Sequence, residues 1–373
     1  MGKGLAVFYY TQDLMKFLRF YCMEGDAFEW DALCLQSGRN TTDMKEKCKN
    51  TGIFCNIYTS DFDFETGGTI KKISMSIQML LYAILNRRKQ YCQKILQSCL
   101  YNINDYDVYC SRTEIGLITG MLASLADEKR VIYFDEGVSD YWIERKRYKT
   151  IFSLFSLDNI MGVFVSNLGY FAYGYCCFKP LRNCEKYAVN PEKVLYRNYK
   201  RIKRLSLNDL QIVVYNNLIS NVYPELKKIS FDENDAVLFT EPKNEIYINS
   251  DDAQNYIDAS MEYVRKQCNN VYIKKHPRDM GKYNSTMSDN LSEIDQGIPG
   301  ECLLPLLRNS KCFFMGPSSI IMEMNAFNLK PVVLEDVNMQ AKPLKREGVG
   351  IENTKKLLET FVNDNYEIYE LDF

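Results

Sequence analysis

Three short stretches of this 373-residue chain hold side chains able to take a proton or hold an anion. The first, YFDEGVSDY at Tyr133–Tyr141, puts Asp135 and Glu136 where an apolar run ends and Gly137 where the chain turns. In open α/β sheets ligands sit beyond the carboxyl ends of strands, so a carboxylate there is placed for general-base work. Two adjacent acids also repel when both are ionised, which raises the proton affinity of one. The second stretch, IKKHPRD at Ile273–Asp279, carries His276, the only histidine of the chain. Pro277 is expected to stop a strand and fix the imidazole at its end, and Lys274, Lys275 and Arg278 to make the surroundings positive. An imidazole in such a field donates a hydrogen bond or a proton to a phosphoryl oxygen. In the third, FFMGPSSIIMEMNAFN at Phe313–Asn328, a strand ends at Gly316–Pro317 and Ser318 and Ser319 open a helix. Their hydroxyls and the first free backbone N–H groups suit an anion. Between the second and third lies Glu301, an acid of the kind that accepts hydrogen bonds from ribose. Each feature alone has a plainer explanation: an acid at a turn, a structural histidine, a serine N-cap worth about 1 kcal/mol.

The elements that must position these residues follow from periodicity. Apolar runs at Gly4–Tyr10, Gly52–Tyr58, Asp107–Ser111 and Arg130–Gly137 read as strands. Helical patterns fall at Asp13–Cys22, Ile70–Leu100 and Thr113–Ala126. The alternation resumes with strands Asp235–Pro242, Asn270–Pro277, Lys311–Gly316 and Lys330–Glu335, and helices Ala253–Cys268, Cys302–Leu307, Ser318–Phe327 and Lys355–Asn363. Such alternation predicts βαβ units and parallel sheets. Two blocks predict an α/β protein of two Rossmann-like domains facing a cleft, residues 1–229 and 230–373, joined within Ser206–Glu233. Residues 151–205 are the irregular part. Ile151–Phe178 is rich in aromatic residues, read as core helices with membrane-surface contact as the sharper alternative, and Lys193–Leu205 is a basic segment, read as a solvated helix face or an attractor of anionic head groups.

Composition narrows the classes. A net charge of −2, from 46 Lys+Arg against 48 Asp+Glu, argues against a general nucleic-acid binder. Thirteen cysteines without a CxxC, and one histidine, make a zinc site a poor fit and favour a reducing, cytoplasmic compartment. No signal peptide is read at the N-terminus. P-loop, GxSxG, HExxH and GxGxxG signatures are absent, so no metal or cofactor is expected. The DxD strings Asp61–Asp63 and Asp105–Asp107 are short enough to arise by chance.

Asp135-Glu136-Gly137, His276-Pro277 and Ser318-Ser319, with IPGE at Ile298–Glu301, together resemble the bacterial sialyltransferases of GT-B architecture. The similarity is to the group of lipooligosaccharide sialyltransferases and capsular polysialyltransferases, of family 52 type. The resemblance implies an inverting, metal-independent transfer of sialic acid from CMP-sialic acid to a hydroxyl of a surface glycan. It further implies Glu136 as the general base with Asp135 positioning it, His276 on the CMP phosphate, Ser318 and Ser319 on phosphate oxygens, and Glu301 on the ribose. Glu136 stands where some relatives have Asp, so the choice between Asp135 and Glu136 stays open. Gly316 and Pro277 belong to the same donor-binding set. The expected partners are CMP-sialic acid and a glycan acceptor, with peripheral contact at the inner membrane face and the oligomeric state left open. The alternatives are a CDP-glycerol-type polyol-phosphate transferase and a non-catalytic glycan- or nucleotide-binding protein.

Overall fold

The computed structural model describes residues 2–35, 41–60, 77–78, 81–82, 85, 87–112, 117–135, 180–194, 199–283, 290–307, 310–345, 350–362 and 365–373. The chain divides into two compact units, Met1–Val222 and Tyr223–Phe373.

The first unit is built on seven parallel strands: β1 (Gly2–Phe8), β2 (Phe28–Leu35), β3 (Phe54–Ser60), β4 (Val108–Ser111), β5 (Arg130–Phe134), β6 (Glu185–Ala188) and β7 (Arg201–Arg204). They lie in the order β3-β2-β1-β4-β5-β6-β7. The second unit has six: β8 (Asp235–Phe239), β9 (Asn270–Lys274), β10 (Leu291–Ile294), β11 (Lys311–Phe314), β12 (Pro331–Asp336) and β13 (Glu367–Leu371), in the order β10-β9-β8-β11-β12-β13. In both sheets the chain starts at a central strand, fills one side, then reverses to fill the other. The reversal points, between β1 and β4 and between β8 and β11, are the places where such sheets open a crevice at their carboxyl edge.

Why these residues form these elements is plain at the centres of the sheets. Every residue of β8 is buried, as expected for a strand covered on both faces. The helix Ser250–Gln267 buries Ala253, Tyr256, Ile257, Ser260, Met261 and Val264, a stripe at helical spacing. Asn249 caps it by accepting the Asp251 N–H (3.0 Å), acids fill the first turn, and Arg265 and Lys266 the last. In the first unit the helix Thr11–Glu24 packs Phe17 and Phe20 against Trp30, with ring centroids 4.8 and 6.0 Å apart.

Several expectations are corrected. Within Ile70–Leu100 the described residues are helical at 77–78, 81–82 and Arg88–Cys99, and Arg87 between them leaves helical geometry (φ −109°, ψ 18°). The basic segment after Lys193 is not a helix face. Its described part forms β7, where Arg201 pairs with Glu185 (2.8 Å), Lys203 with Glu24 (3.1 Å) and Arg204 with Glu192 (2.8 Å). Cys302–Leu307 makes 3₁₀ turns in place of a helix. Ile151–Phe178 and Asp61–Asp63 lie outside the described residues. The second DxD string sits at the amino end of β4, where Asp107 accepts the Lys3 N–H (3.0 Å). Among the described residues, no helix is long and apolar enough to cross a membrane, no group of three or more His, Cys, Asp or Glu is placed to hold a metal ion, and none of the eleven cysteines forms a disulfide.

Candidate donor site and catalytic turn

The carboxyl ends of β8 and β11 flank the reversal point of the second sheet. Their last residues, Phe239 and Phe314, stack with centroids 4.7 Å apart and rings 9° from parallel. The Met315 N–H donates to the Phe239 carbonyl (3.0 Å), and the Thr240 N–H to the Lys274 carbonyl at the end of β9 (3.1 Å). The Thr240 hydroxyl then accepts the His276 N–H (3.0 Å). Three adjacent strand ends are thereby tied, with His276, Thr240–Glu241 and Gly316 as their continuations.

His276 is half-buried, in a tight turn closed by the Asp279 N–H donating to its carbonyl (2.9 Å). The strand ends at Lys274, so the turn rather than Pro277 sets the imidazole's place. Nδ1 accepts the Arg278 N–H (3.2 Å), which leaves the proton of the neutral ring on Nε2 as a donor. Burial, and then the Arg278 charge, lower the proton affinity of the ring, while Glu241, Glu245 and Asp279 oppose them. The expected positive field is largely neutralised. Lys275 pairs with Glu293 (2.7 Å) and Arg278 with Glu245 (3.0 Å). Lys274 is buried and donates to the Asp295 carbonyl (2.9 Å), and that burial lowers its pKa.

The serine pair precedes a helix of five residues, Ile320–Met324, shorter than the sequence suggests. It passes into a 3₁₀ turn ended by left-handed Asn328 (φ 55°). Ser318 Oγ accepts the Ile320 N–H (3.4 Å), whereas Ser319 is exposed and makes no capping bond. Glu301 lies half-exposed in the turn Gly300–Cys302. A Cβ on Gly300 would overlap Ile320 and press on the Phe239 ring, so this turn packs directly against the helix that the serines open. His276, Glu301, Gly316, Ser318 and Ser319 therefore all stand at one edge of the second sheet.

In the first unit Asp135 directly follows β5 and is fully buried. Lys16, from the helix Thr11–Glu24, forms an ion pair with Oδ1, and Oδ2 accepts the Val189 N–H (3.1 Å). The Asp135 N–H donates to the Tyr187 carbonyl (3.0 Å). Asp135 is thus tied both to the helix Thr11–Glu24 and to the end of β6, an anchoring role; Glu136 and Gly137 lie outside the described residues. Removing one partner of a buried pair strands the other charge, at a typical loss of about 3–5 kcal/mol. Lys16→Ala is expected to destabilise the protein on that scale, measured by urea unfolding; a loss below about 1 kcal/mol would contradict the anchoring role.

Reading the sequence missed several polar residues at the strand ends of the two units. Asp13 sits at the start of its helix and accepts the N–H groups of Tyr9 (2.7 Å) and Tyr10 (2.9 Å); burial raises its pKa against the pull of Arg112. Its signal was an acid one turn beyond an apolar strand. Thr240, Glu241 and Lys243 had only their place after a strand to mark them.

The family model for alpha-2,8-polysialyltransferase (POLYST) matches residues 68–333 of the chain. The chain belongs to that family. It is accordingly a sialyltransferase, which acts on a nucleotide-sugar donor and a glycan acceptor. No curated protein matches its sequence. Among solved structures it is similar to the UDP-GlcNAc 2-epimerase of Methanocaldococcus jannaschii, with 11% identity and a TM-score of 0.53 over 99% of this chain and 89% of that one. It is also similar to Arabidopsis thaliana UGT89C1 complexed with UDP-L-rhamnose, with 8% identity and a TM-score of 0.51 over 100% and 85% of the two chains. At such identities the likeness concerns the fold, and the sialyltransferase has the GT-B fold of two parallel-sheet α/β units.

Proposed function

We propose that this sialyltransferase moves sialic acid from CMP-sialic acid to a glycan hydroxyl with inversion and without a metal ion. The family's description supports an α2,8 linkage for this proposal. The observation that carries the proposal is the gathering of His276, Glu301, Ser318 and Ser319 around the reversal point of the second sheet, at elements bonded or packed to one another. In this reading the Nε2–H of His276 and the hydroxyls of Ser318 and Ser319 hold the phosphate of CMP, and Glu301 holds the ribose. Gly316 brings the backbone close to the phosphate, and Pro277 keeps the His276 turn rigid.

Glu136 is the general base, with Asp135 fixing the start of its turn through Lys16 and Val189. As the acceptor oxygen attacks the anomeric carbon, its proton passes to the Glu136 carboxylate, and the bond from that carbon to the phosphate oxygen breaks. The electron pair leaves with CMP, whose growing charge is met by His276 and the serine hydroxyls. Attack opposite the leaving group inverts the anomeric centre. The division into residues 1–229 and 230–373 is kept as part of this proposal, the first part acting on the acceptor and the second on the donor. Residence on the cytoplasmic side, with peripheral contact to an anionic membrane face, would draw on Lys200, just before β7, and on Arg201 and Arg204 within it, all three exposed.

The test is a donor screen. Incubated separately with CMP-sialic acid, CDP-glycerol and several UDP-sugars, with a chelator present, the protein is expected to release nucleotide from CMP-sialic acid alone. Release of CMP from CDP-glycerol, UDP from a UDP-sugar, or abolition by the chelator would reject the corresponding part.

A further inference from the structure

The reversal point of the first sheet carries residues that the mechanism above leaves unused. It lies between β1 and β4, and the segments leaving those strands are Tyr9–Tyr10 and Arg112. One carboxylate, that of Asp13, ties the two together. Oδ2 accepts the N–H groups of Tyr9 (2.7 Å) and Tyr10 (2.9 Å), while Oδ1 meets Nη1 of Arg112 at 3.5 Å. Asp13 is itself buried, so both segments rest on a fixed support. Arg112 keeps 17% of its side chain exposed, and Tyr10, on the same support, is 48% exposed. Ser111 in β4 lies opposite Tyr133 in β5, so Arg112 leaves its strand beside Phe134, directly before the Asp135-Glu136 pair.

The chemistry of the acceptor gives this arrangement a use. An α2,8 linkage is made on a hydroxyl of a sialic acid, a sugar that also bears a carboxylate. That hydroxyl must reach the base, so the carboxylate of the same sugar lies only a few bonds from it. A planar guanidinium matches a carboxylate in shape and charge, with a donor for each oxygen. Of the described cations near this edge, Lys16 is committed to buried Asp135, and Lys47 to Asp43 (2.6 Å) and Thr11 (3.2 Å). Arg112 has a longer contact with its acid, whose charge is already met by two backbone N–H groups at a helix start. The exposed Tyr10 ring offers an apolar face to the C–H groups of a sugar, with a hydroxyl at its wet end.

We propose that Arg112 binds the carboxylate of the acceptor's terminal sialic acid and so selects sialylated acceptors, with Tyr10 against the sugar ring. This rests on the α2,8 reading of the acceptor, and the two can fail separately. The test compares two acceptors with CMP-sialic acid as donor. One is an α2,8-linked disaccharide of sialic acid, the other the same compound with its terminal carboxylate converted to the carboxamide. Wild-type kcat/KM for the acceptor is expected to fall about 10–100-fold on amidation, as for a lost charge-assisted bond. Arg112→Gln should lose about as much on the carboxylate acceptor, and should tell the two apart by less than about threefold. Arg112→Lys should restore part of the discrimination, while donor KM stays within about twofold in every variant. Equal use of both acceptors by the wild type overturns the proposal. So does an Arg112→Gln enzyme that loses activity on both yet prefers the carboxylate as strongly as the wild type. If Arg112→Gln does not fold, the double variant Asp13→Asn/Arg112→Gln, which removes both charges of the pair, takes its place in the comparison. If sialic acid passes to neutral sugars and not to the sialylated acceptor, the α2,8 reading falls first and takes the proposal with it.

Discussion

Glu136→Ala is expected to lower turnover by more than about 10²-fold while CMP binding stays within about twofold of the wild type. A positioned base contributes when the acceptor oxygen loses its proton, which happens only as the new bond forms. Its removal therefore affects the transition state and not the bound nucleotide. The companion variant Asp135→Asn separates the two acids. Asp135 is enclosed by Lys16, Val189 and the strand end of β6, so its loss should appear first as lost stability. Steady-state kinetics with CMP-sialic acid, and CMP titration by calorimetry, check both variants. If Glu136→Ala retains full turnover while a stably folded Asp135→Asn does not, the base is Asp135.

His276→Ala should reduce kcat/KM by about 10²–10³-fold, with the loss shared between donor affinity and the chemical step. In the proposed mechanism the imidazole contacts phosphate in the ground state and more strongly as CMP leaves. His276→Gln restores one N–H donor but no titratable proton, and is expected to recover part of the affinity and little of the rate. The pH dependence has a fixed sign. Phosphate prefers the imidazolium, so donor KM should rise as pH climbs through the ring's midpoint, which burial and Arg278 hold below the usual histidine value. In His276→Gln that dependence should vanish. A His276→Ala enzyme with wild-type kinetics would remove the residue from the site.

What the sequence disclosed, and what it hid, divides along physical lines. Strands such as β5 and β8 are unbroken apolar runs because the sheet is covered on both faces, and they stand out. The strands β6 and β7 read EKYA and RIKR; their charges are met after folding by Arg130, Glu24, Glu192 and each other. The edge strands β10 and β13 are half-exposed and mixed in character, and β13 has neither length nor composition to mark it. His276 was legible because it is unique and precedes a proline. The pair Glu241–Lys243 was not, since nothing but a place after a strand marks either residue before they meet. The basic stretch after Lys193 misled because charge in a sequence says nothing of the carboxylates that will meet it.

The strand order has a consequence for how the chain is made. Gly4 in β1 lies opposite Val108 in β4, on the order of 100 residues later, and Ala236 in β8 opposite Lys311, about 75 residues later. Loop-closure entropy grows only logarithmically, so the two closures differ by a few tenths of a kcal/mol. Their shared non-local character matters more. During synthesis each central strand waits, with one flank unpaired, until its late neighbour leaves the ribosome, and slow pairing of this kind leaves apolar edges open to aggregation. Cooler growth and slower translation should therefore raise the recovered yield.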